Sequence, residues 1–298
     1  MRQLDGAIAA AAGFLVSRQA AGGAWRDYPG MPLGASDGWI SAYVGRALAQ
    51  AAVQHRAPAS HGAALRAARH LLRRRRFTAG FGYNKAAGPD ADSTAHTLAL
   101  LQQLGLQPAP QDVAWLLAHW RSNGGCATYA RRDAWGVAHT CVTPVAWLAL
   151  PPAERAVLAP AVHDFTLACR RADGTWPAYW WRSPHYATFW NSRALQVLEP
   201  GALEPPDATF IAGAQSAFEL ACALGTRVLA GQPDHQLAQR LLALQAEDGS
   251  WPGAANLRLT HPACFQPWLK AHGDCYTDQH HLMTTATALD VLALLAEQ

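Results

Sequence analysis

The sequence has few of the features from which a function is commonly recognised. Lysine is nearly absent, since only Lys85 and Lys270 stand among the 24 basic residues, and the formal net charge is +3. A net charge so close to zero is not typical of a protein that binds nucleic acid. The apolar runs end short of the ~18 residues that a membrane-spanning helix needs. No secretory cleavage site follows the N-terminus, so we expect no transmembrane segment and a cytoplasmic location.

Sequence motifs for common cofactor chemistry are missing as well. The chain has no glycine-rich phosphate loop, no nucleophile elbow and no His-Glu-x-x-His pair. It also has no Asp-Asp-x-x-Asp cluster of the kind that ionises diphosphates through magnesium. The six cysteines are dispersed without a Cys-x-x-Cys pair, which predicts reduced thiols and not a disulfide framework. We therefore expect no bound metal ion and no cofactor.

The chain is rich in apolar residues and contains internal repeats. Half of the residues are apolar and only 15% are charged, so the chain can bury a large core. A turn of Gly, any residue and Trp recurs after a helical segment. Its clearest copies are 245–251, 171–176 and 19–25, and weaker copies are 80–83 and 124–129. Glycine supplies the left-handed residue that ends a helix, and the aromatic ring can then pack against the helix end.

Each turn leads into a second helix with little charge and a Ser/Thr-Ala signature, which recurs at intervals of about 50 residues. The signature residues are Ser41, Thr94, Thr140, Thr188 and Thr285. No segment alternates with period two, so no sheet is expected. The Pro/Gly-rich segments between repeats are predicted loops: 151–160, 198–206 and 251–279. The pattern predicts an all-α protein in which about six helical hairpins form a double ring, as one domain over residues 1–298.

The Gln-Trp (QW) turns at 245–251 and 171–176, together with the segment 90–95, resemble the prenyltransferase/squalene-cyclase repeat family. Its members share an α6–α6 toroid, and the resemblance covers essentially the whole chain. Class II terpene cyclases of this family carry Asp-x-Asp-Asp-Thr-Ala, whose middle Asp protonates an alkene or an epoxide. The resemblance implies that Asp92 is this general acid, with Asp90 before it and Ser93 in place of the last Asp. It further implies an apolar, isoprenoid-like substrate.

The signature residues also predict which side chains share one mouth of the barrel. If they lie level around the ring, the positions two and four residues before them lie near the N-termini of the second helices. These positions combine acids and imidazoles with aromatic rings: Asp37, Asp90, Asp92, His281, Trp39 and Tyr186. The residue before each signature position adds His139 and Ser93, and Trp180, Trp181 and Trp190 are close in sequence.

Such a mouth suits chemistry on a hydrocarbon. Protonation of an unactivated alkene needs an acid shielded from water, and the cation must be stabilised without being quenched. Aromatic faces stabilise a desolvated cation by up to ~2 kcal/mol each, and burial keeps the proton on a carboxyl group. We predict Asp92, Asp90, Ser93 and His139 as catalytic residues. The predicted substrate-binding residues are Trp39, Asp37, Phe81, Tyr83, His96, Trp180, Trp181, Tyr186, Trp190 and His281; Arg182 and Arg193 are candidates for holding an anionic headgroup.

Other interpretations stay open at this point. The three acids precede or begin helices, where Asp is an ordinary N-cap, and the histidines and tryptophans could be core residues. A non-catalytic barrel that binds a lipid or a peptide would have the same repeats. Asp274, Cys275, His280 and His281 suggest a third alternative, a zinc-dependent prenyltransferase-like protein. A homodimer or a peripheral membrane contact could cover the open mouth.

Overall fold

The computed structural model describes residues 2–53, 59–75, 77–270 and 274–298. In these residues the fold is predominantly helical, as predicted, with twelve α-helices and one two-stranded sheet. The helices are α1 (Arg2–Ser17), α2 (Trp39–Val53), α3 (Ser60–Arg73), α4 (Ala91–Gln103), α5 (Pro110–Leu117), α6 (Thr143–Leu148), α7 (Pro152–Ala168), α8 (His185–Leu198), α9 (Ala208–Ala212), α10 (Ala217–Leu229), α11 (His235–Ala243) and α12 (Leu282–Leu295). The strands are β1 (Ala255–Leu259) and β2 (Asp274–Thr277). Within the described ranges we find no helix with the length and hydropathy that a bilayer crossing requires.

Six of these helices contact one another in a cyclic order. α2 packs against α4, α4 against α6, α6 against α8, α8 against α10, α10 against α12, and α12 against α2. Other helices lie against this cycle: α3 on α2 and α4, α7 on α6 and α8, and α11 on α10. Every residue of α12 from Leu282 to Ala293 is buried. In contrast, α3 buries one face, made mostly of alanines, as an amphipathic helix does when its other face meets water.

Three tryptophans close helix ends in the same way. The indole Nε1 of Trp25, Trp176 and Trp251 donates to the backbone carbonyl ten residues earlier, at 2.7 Å in each case. Each acceptor lies in the last turn of a helix, where carbonyl groups lack a partner within the helix. All three side chains are fully buried. The aromatic residue of the recurrent turn therefore caps the helix that precedes it.

The residue four positions before the turn glycine ties neighbouring repeats together. Gln245 Nε2 donates to the glycine carbonyl and to Ala7 O of α1, at 3.0 Å each. Gln19 Nε2 makes the same pair of bonds, the second to Ala63 O of α3 at 2.9 Å. In the copy that ends at Trp176, Arg170 occupies this position, one residue before the predicted start of the motif. Its guanidinium donates to the turn glycine carbonyl and to Glu204 O, in the loop after α8. The turns therefore also connect successive outer helices.

The predicted loop 251–279 contains the two-stranded sheet, so the expectation of no strand is wrong here. β1 pairs antiparallel with β2, with Arg258 opposite Cys275. Leu257 also forms a bridge with Trp181, on the segment before α8. Strands of five and four residues are too short for a period-two signal, and tertiary pairing defines them. The hairpin brings the C-terminal part of the chain beside the Trp-rich segment.

Candidate active site

Hydroxyl groups at the start of the cyclic helices fix their relative height. The backbone N–H of Phe81 donates to Thr94 Oγ1 at 2.9 Å. The turn tryptophans make the same bond to the other signature hydroxyls, which are Ser41, Thr188 and Thr285. In the remaining turn Cys126 N donates to Thr143 Oγ1 at 2.9 Å. The predicted register is therefore wrong at Thr140, which is replaced by Thr143.

This correction changes which side chains share a level around the cycle. Cys141, and not Ala138, is level with Asp92. His139 becomes level with Asp90, at the position that precedes the helix. The sequence contained a signal for this, because proline favours the first turn of a helix and Pro144 directly follows Thr143, where α6 begins.

Asp90 is the N-cap of α4. Its Oδ1 accepts from Ser93 N and its Oδ2 from Ser93 Oγ, both at 2.7 Å. The open interpretation of Asp90 as a helix cap is therefore confirmed by its geometry. Ser93 stands where the cyclase motif has its last Asp, and its hydroxyl holds the Asp90 carboxylate in one orientation.

Asp92 lies in the first turn of α4 and makes different contacts. Its Oδ2 accepts from Trp39 Nε1 at 2.7 Å. Its Oδ1 has no hydrogen-bond partner and lies 3.8 Å from His96 Nε2. The side chain is 17% exposed. Asp92 is thus a largely buried acid in which one carboxyl oxygen is held by a hydrogen bond and the other has no hydrogen-bond partner.

The two acids differ in proton affinity. Burial raises the pKa of Asp92 to about 8, with a further increase from the Asp90 charge, while the Trp39 hydrogen bond opposes both. Burial also raises the pKa of Asp90 to about 6, against the hydrogen bonds from Ser93. At neutral pH Asp92 therefore keeps its proton, whereas Asp90 is mostly ionised.

An open pocket with a cavity volume of about 110 Å³ adjoins these acids. Its wall consists of aromatic, aliphatic and a few polar side chains. The lining residues are Met31, Leu33, Trp39, Tyr83, Asp90, Asp92, Ser93, Thr128, Tyr129, Trp135, Cys141, Val142, Trp180, Trp181, Leu257, Arg258 and Leu259. A protonated carboxyl group therefore adjoins a mostly apolar, aromatic space.

The aromatic wall is held in place by further contacts. Trp181 stacks on Tyr186 and on Phe218, with ring centroids 4.0 and 5.3 Å apart. Trp180 Nε1 donates to Thr128 Oγ1 at 2.7 Å. Because each ring has partners behind it, the pocket is formed before any substrate enters.

Comparisons with known proteins complete this description. No family model matches the chain, and no curated protein matches it. Among solved structures, the type II terpene cyclase MstE from Scytonema is 25% identical, with a TM-score of 0.83 over 100% of this chain and 99% of that chain. Structures of its variants contain geranylgeranyl dihydroxybenzoate as substrate or merosterolic acid A as product. The chain is thus similar over its whole length to a type II terpene cyclase. The resemblance found in the sequence is thereby confirmed.

Two further structures are similar to this cyclase-like chain. A protein from Actinoplanes is 28% identical, with a TM-score of 0.84 over 98% of this chain and 99% of that chain. An ent-copalyl diphosphate synthase from Streptomyces platensis is 22% identical, with a TM-score of 0.58 over 86% of this chain and 50% of that chain. The second likeness concerns the fold alone, over about half of that synthase.

The structure brings half of the predicted site residues of the cyclase-like chain together. Those that line the pocket are Asp90, Asp92, Ser93, Trp39, Tyr83, Trp180 and Trp181. Those that do not line it are His139, Asp37, Phe81, His96, Tyr186, Trp190 and His281. All seven of the first group lie on the α2–α4 side or on the segment before α8.

Three of the second group, His96, Tyr186 and Trp190, lie behind the pocket wall. His96 Nε2 is 3.2 Å from Tyr186 OH, and the Trp190 ring is 5.7 Å from the His96 ring. Burial and the nearby Arg46 charge hold the pKa of His96 well below its ordinary value, so the ring is neutral. These side chains support the rings of the wall from behind.

His139 contacts the wall and not the acid. One ring nitrogen, Nδ1, is 2.9 Å from Thr128 Oγ1, and the ring stacks on Tyr179 at 3.9 Å. Burial lowers its pKa to about 3. The predicted position of His139 next to Asp92 followed from the wrong register at Thr140.

The last three residues of this group have structural partners elsewhere. Asp37 forms an ion pair with Arg74, and the guanidinium of Arg75 lies 5.4 Å from the centre of the Phe81 ring. His281 precedes α12 with a left-handed backbone, at φ 62°. None of the three lines the pocket that Asp92 lines.

Arg258 is the most informative lining residue that sequence reasoning missed. Its side chain belongs to β1, and the residue is 6% exposed. Its two terminal nitrogens donate to Ala178 O and Arg182 O, at 3.3 and 3.0 Å, while its Nε has no partner. No ion pair involves it among the described residues. The pocket therefore contains a buried cation that forms no ion pair with a described residue.

The two arginines suggested earlier for a headgroup lie elsewhere. Arg182 is exposed, and Arg193 pairs with Asp290 at 2.7 Å. Cys141 and Val142 would have followed from the correct register. Thr128, Tyr129 and Trp135 come from the weak turn copy and the loop after it, which carry no periodic signal.

The residues of the proposed zinc site are not gathered. No group of three metal-ligating side chains occurs in the part of the chain that the structure describes. Asp274 and Cys275 lie in β2, and His280 Nδ1 is 2.8 Å from Arg26 O. These contacts hold the hairpin and the start of α12 in place.

Proposed function

We propose that the chain is a class II terpene cyclase that starts the cyclisation of an isoprenoid chain by protonating it, with Asp92 as the general acid. The observation that carries the proposal is a largely buried carboxyl group whose pKa of about 8 keeps it protonated at neutral pH, beside an aromatic pocket. The solved complexes of MstE with its isoprenoid substrate and product support the same assignment.

The chemistry requires one proton transfer at the start. Asp92 gives its proton to one carbon of a terminal double bond, whose electron pair forms the new C–H bond and leaves a tertiary cation. Ring closure then moves the positive charge along the chain, the final cation loses a proton to water to give a neutral product, and Asp92 takes a proton back from the solvent. The Trp39 N–H remains bonded to the Asp92 carboxylate and stabilises the negative charge left there.

Asp90 and Ser93 act on the acid from one side. The Asp90 charge favours the protonated form of Asp92 before reaction, and Ser93 fixes the orientation of that carboxylate. His139 acts through the wall, since Thr128 contacts both His139 and Trp180. These are positioning roles, because only Asp92 delivers the proton.

The aromatic wall stabilises and steers the cation. Trp39, Tyr83, Trp180 and Trp181 present rings to the pocket, and each desolvated aromatic face contributes up to about 2 kcal/mol to a cation. Carbon walls also exclude the water that would quench the intermediate.

We further propose that the substrate carries an anionic headgroup, which binds to Arg258. A buried guanidinium without a carboxylate partner is costly unless a ligand supplies the missing charge. The unpartnered Nε can form a charge-assisted hydrogen bond with a carboxylate or a phosphate. The dihydroxybenzoate of the MstE substrate is an example of such a headgroup.

We also propose that the helices form a single α6–α6 toroid and that residues 1–298 are one domain. The cyclic contacts of α2, α4, α6, α8, α10 and α12 support this arrangement. Coverage of the pocket mouth by a second copy of the chain, or by a membrane surface, stays a prediction.

The proposed function is tested with Asp92→Asn on a panel of prenylated aromatic acids and prenyl diphosphates, with products identified by mass spectrometry. We expect product formation to fall by about 10²–10⁴-fold, the usual contribution of a general acid. Asp164→Asn, at a carboxylate that is 87% exposed, is the matched control and should keep full activity. Binding of these compounds without turnover by the unmodified protein would instead indicate a lipid-binding barrel.

A further inference from the structure

A second pocket lies deeper along the helices that carry the candidate active site. It has a cavity volume of about 120 Å³, and its lining includes Arg46, His96, Gln103, Trp190 and Arg193. It shares no lining residue with the aromatic pocket. On α2 and α4 its residues Arg46 and His96 follow Trp39 and Asp92 by seven and four residues, which is about 6–11 Å along the helix axis.

The charges at this pocket do not balance. Arg46 and Arg193 both pair with Asp290 Oδ2, at 3.0 and 2.7 Å. The Asp290 side chain is fully buried and that of Arg46 is 4% exposed. The two arginines hold the pKa of Asp290 well below its ordinary range, so it carries one negative charge against two positive ones. His96 is neutral and adds none.

Two N–H groups at this pocket also lack acceptors. Arg46 Nε and Trp190 Nε1 have no hydrogen-bond partner, although each residue is only 3% exposed. Gln103 Oε1, an acceptor in the same lining, has no partner either. The guanidinium of Arg46 lies over the Trp190 ring, with its central carbon 4.8 Å from the ring centre, so the cation and the indole share one wall of the pocket. A buried donor without an acceptor is destabilising, and an excess of donors beside an excess of positive charge is the chemistry of an anion site.

We propose that this second pocket binds a small monovalent anion, of the halide or nitrate class, through Arg46 Nε and the Trp190 N–H. One negative charge neutralises the cluster of two arginines and Asp290. The remaining walls, Ala99, Val145, Leu148 and Ala149, are small or apolar and limit the size of the occupant. The site is independent of the proposed cyclase reaction, so a failure of either proposal leaves the other intact.

Bromide is a direct probe of this site. Crystals grown in bromide instead of chloride should show an anomalous peak in contact with Trp190 Nε1 and Arg46 Nε. In Trp190→Phe, which keeps an aromatic ring but removes the donor, the peak should be weak or absent. Trp120→Phe is the matched control, because the Trp120 indole N–H also lacks a partner but lies outside this pocket.

The same variants test the site in solution. At constant ionic strength, replacement of gluconate, which is too bulky to enter, by bromide should raise the unfolding temperature in a saturable manner. The half-saturating bromide concentration should be at least tenfold higher in Trp190→Phe than in the unmodified protein or Trp120→Phe. Equal responses to both salts, together with no anomalous peak in the pocket, would overturn the proposal and leave only water there.

Discussion

The hydrogen bond between Trp39 Nε1 and Asp92 Oδ2 ties the acid to the wall of its own pocket. It stabilises the carboxylate more than the neutral acid and so opposes the high pKa of Asp92. Trp39→Phe keeps the ring and removes the donor. We expect kcat to fall about tenfold with little change in KM, and the alkaline limb of the kcat–pH profile to move to higher pH.

Tyr83→Phe is the control for this prediction. Tyr83 lies against Trp39, with ring centroids 6.3 Å apart, but its hydroxyl has no hydrogen-bond partner. Its removal should leave the pH profile in place. If the alkaline limb of Trp39→Phe coincided with that of the unmodified enzyme, Trp39 would be only a wall residue.

Asp92 should also make stability depend on pH. Its pKa is about 8 in the folded protein, against an ordinary value of 3.8 for aspartic acid, so between these values the unfolded chain has released a proton that the folded chain keeps. The free energy of unfolding therefore falls as pH rises through this window. Asp92→Asn removes that loss, and we expect it to be more stable than the unmodified protein at pH 8.5 but not at pH 4.

Urea unfolding at both pH values measures this difference. Asp164→Asn changes an exposed carboxylate and should show no such pH-dependent gain. The buried acid Asp278 has a raised pKa too, but it is common to both proteins and cancels in the comparison. A constant difference across pH would mean that Asp92 is ionised in the folded protein.

At the scale of the element, the recurrent turn joins a helix end to its neighbour at a glycine. Gly249 has φ +88°, and a Cβ there would lie 2.3 Å from Ala10 O. Gly231 has φ +67° with no atom within 4 Å of such a Cβ. Gly231→Ala should cost about 1–2 kcal/mol of stability from backbone strain alone. Gly249→Ala adds a steric clash and should cost about 3 kcal/mol or more.

Chemical denaturation of the two variants separates strain from close packing. Equal losses would show that α1 moves away freely from the turn at Gly249. A larger loss at Gly249 would show that the turn and α1 act as one packed unit, as the bond from Gln245 to Ala7 O suggests.

These turns also explain which parts of the fold and the site could be predicted from the sequence alone. The helix content and the grouping of Trp39, Asp92 and Trp181 were predictable, because the repeats place equivalent residues at one end of their helices. Thr143 was misplaced because the spacing of repeats varies, and only Pro144 marks the true helix start. The hairpin of β1 and β2 was not predictable from pattern, since its bridge to Trp181 is a tertiary contact.

At the scale of the whole molecule, the pocket combines residues that are far apart in the chain. Asp92 comes from α4, whereas Arg258 comes from β1. A substrate with an anionic head and an apolar tail can therefore meet a cation and an acid in the same pocket. In the proposed binding mode the head binds at the hairpin and the terminal double bond reaches Asp92.

Arg258→Met tests this arrangement, because Met fills similar volume without the charge. We expect kcat/KM for a prenylated aromatic acid to fall about 10–100-fold, the value of hydrogen bonds to a charged group. The analogue that carries an alcohol in place of the carboxylate is uncharged and should be turned over equally by both proteins. Arg182→Met, at an exposed arginine nearby, controls for net charge and should leave both substrates unaffected. Equal losses for the acid and the alcohol would mean that Arg258 holds the hairpin through Ala178 O and Arg182 O and does not bind the headgroup.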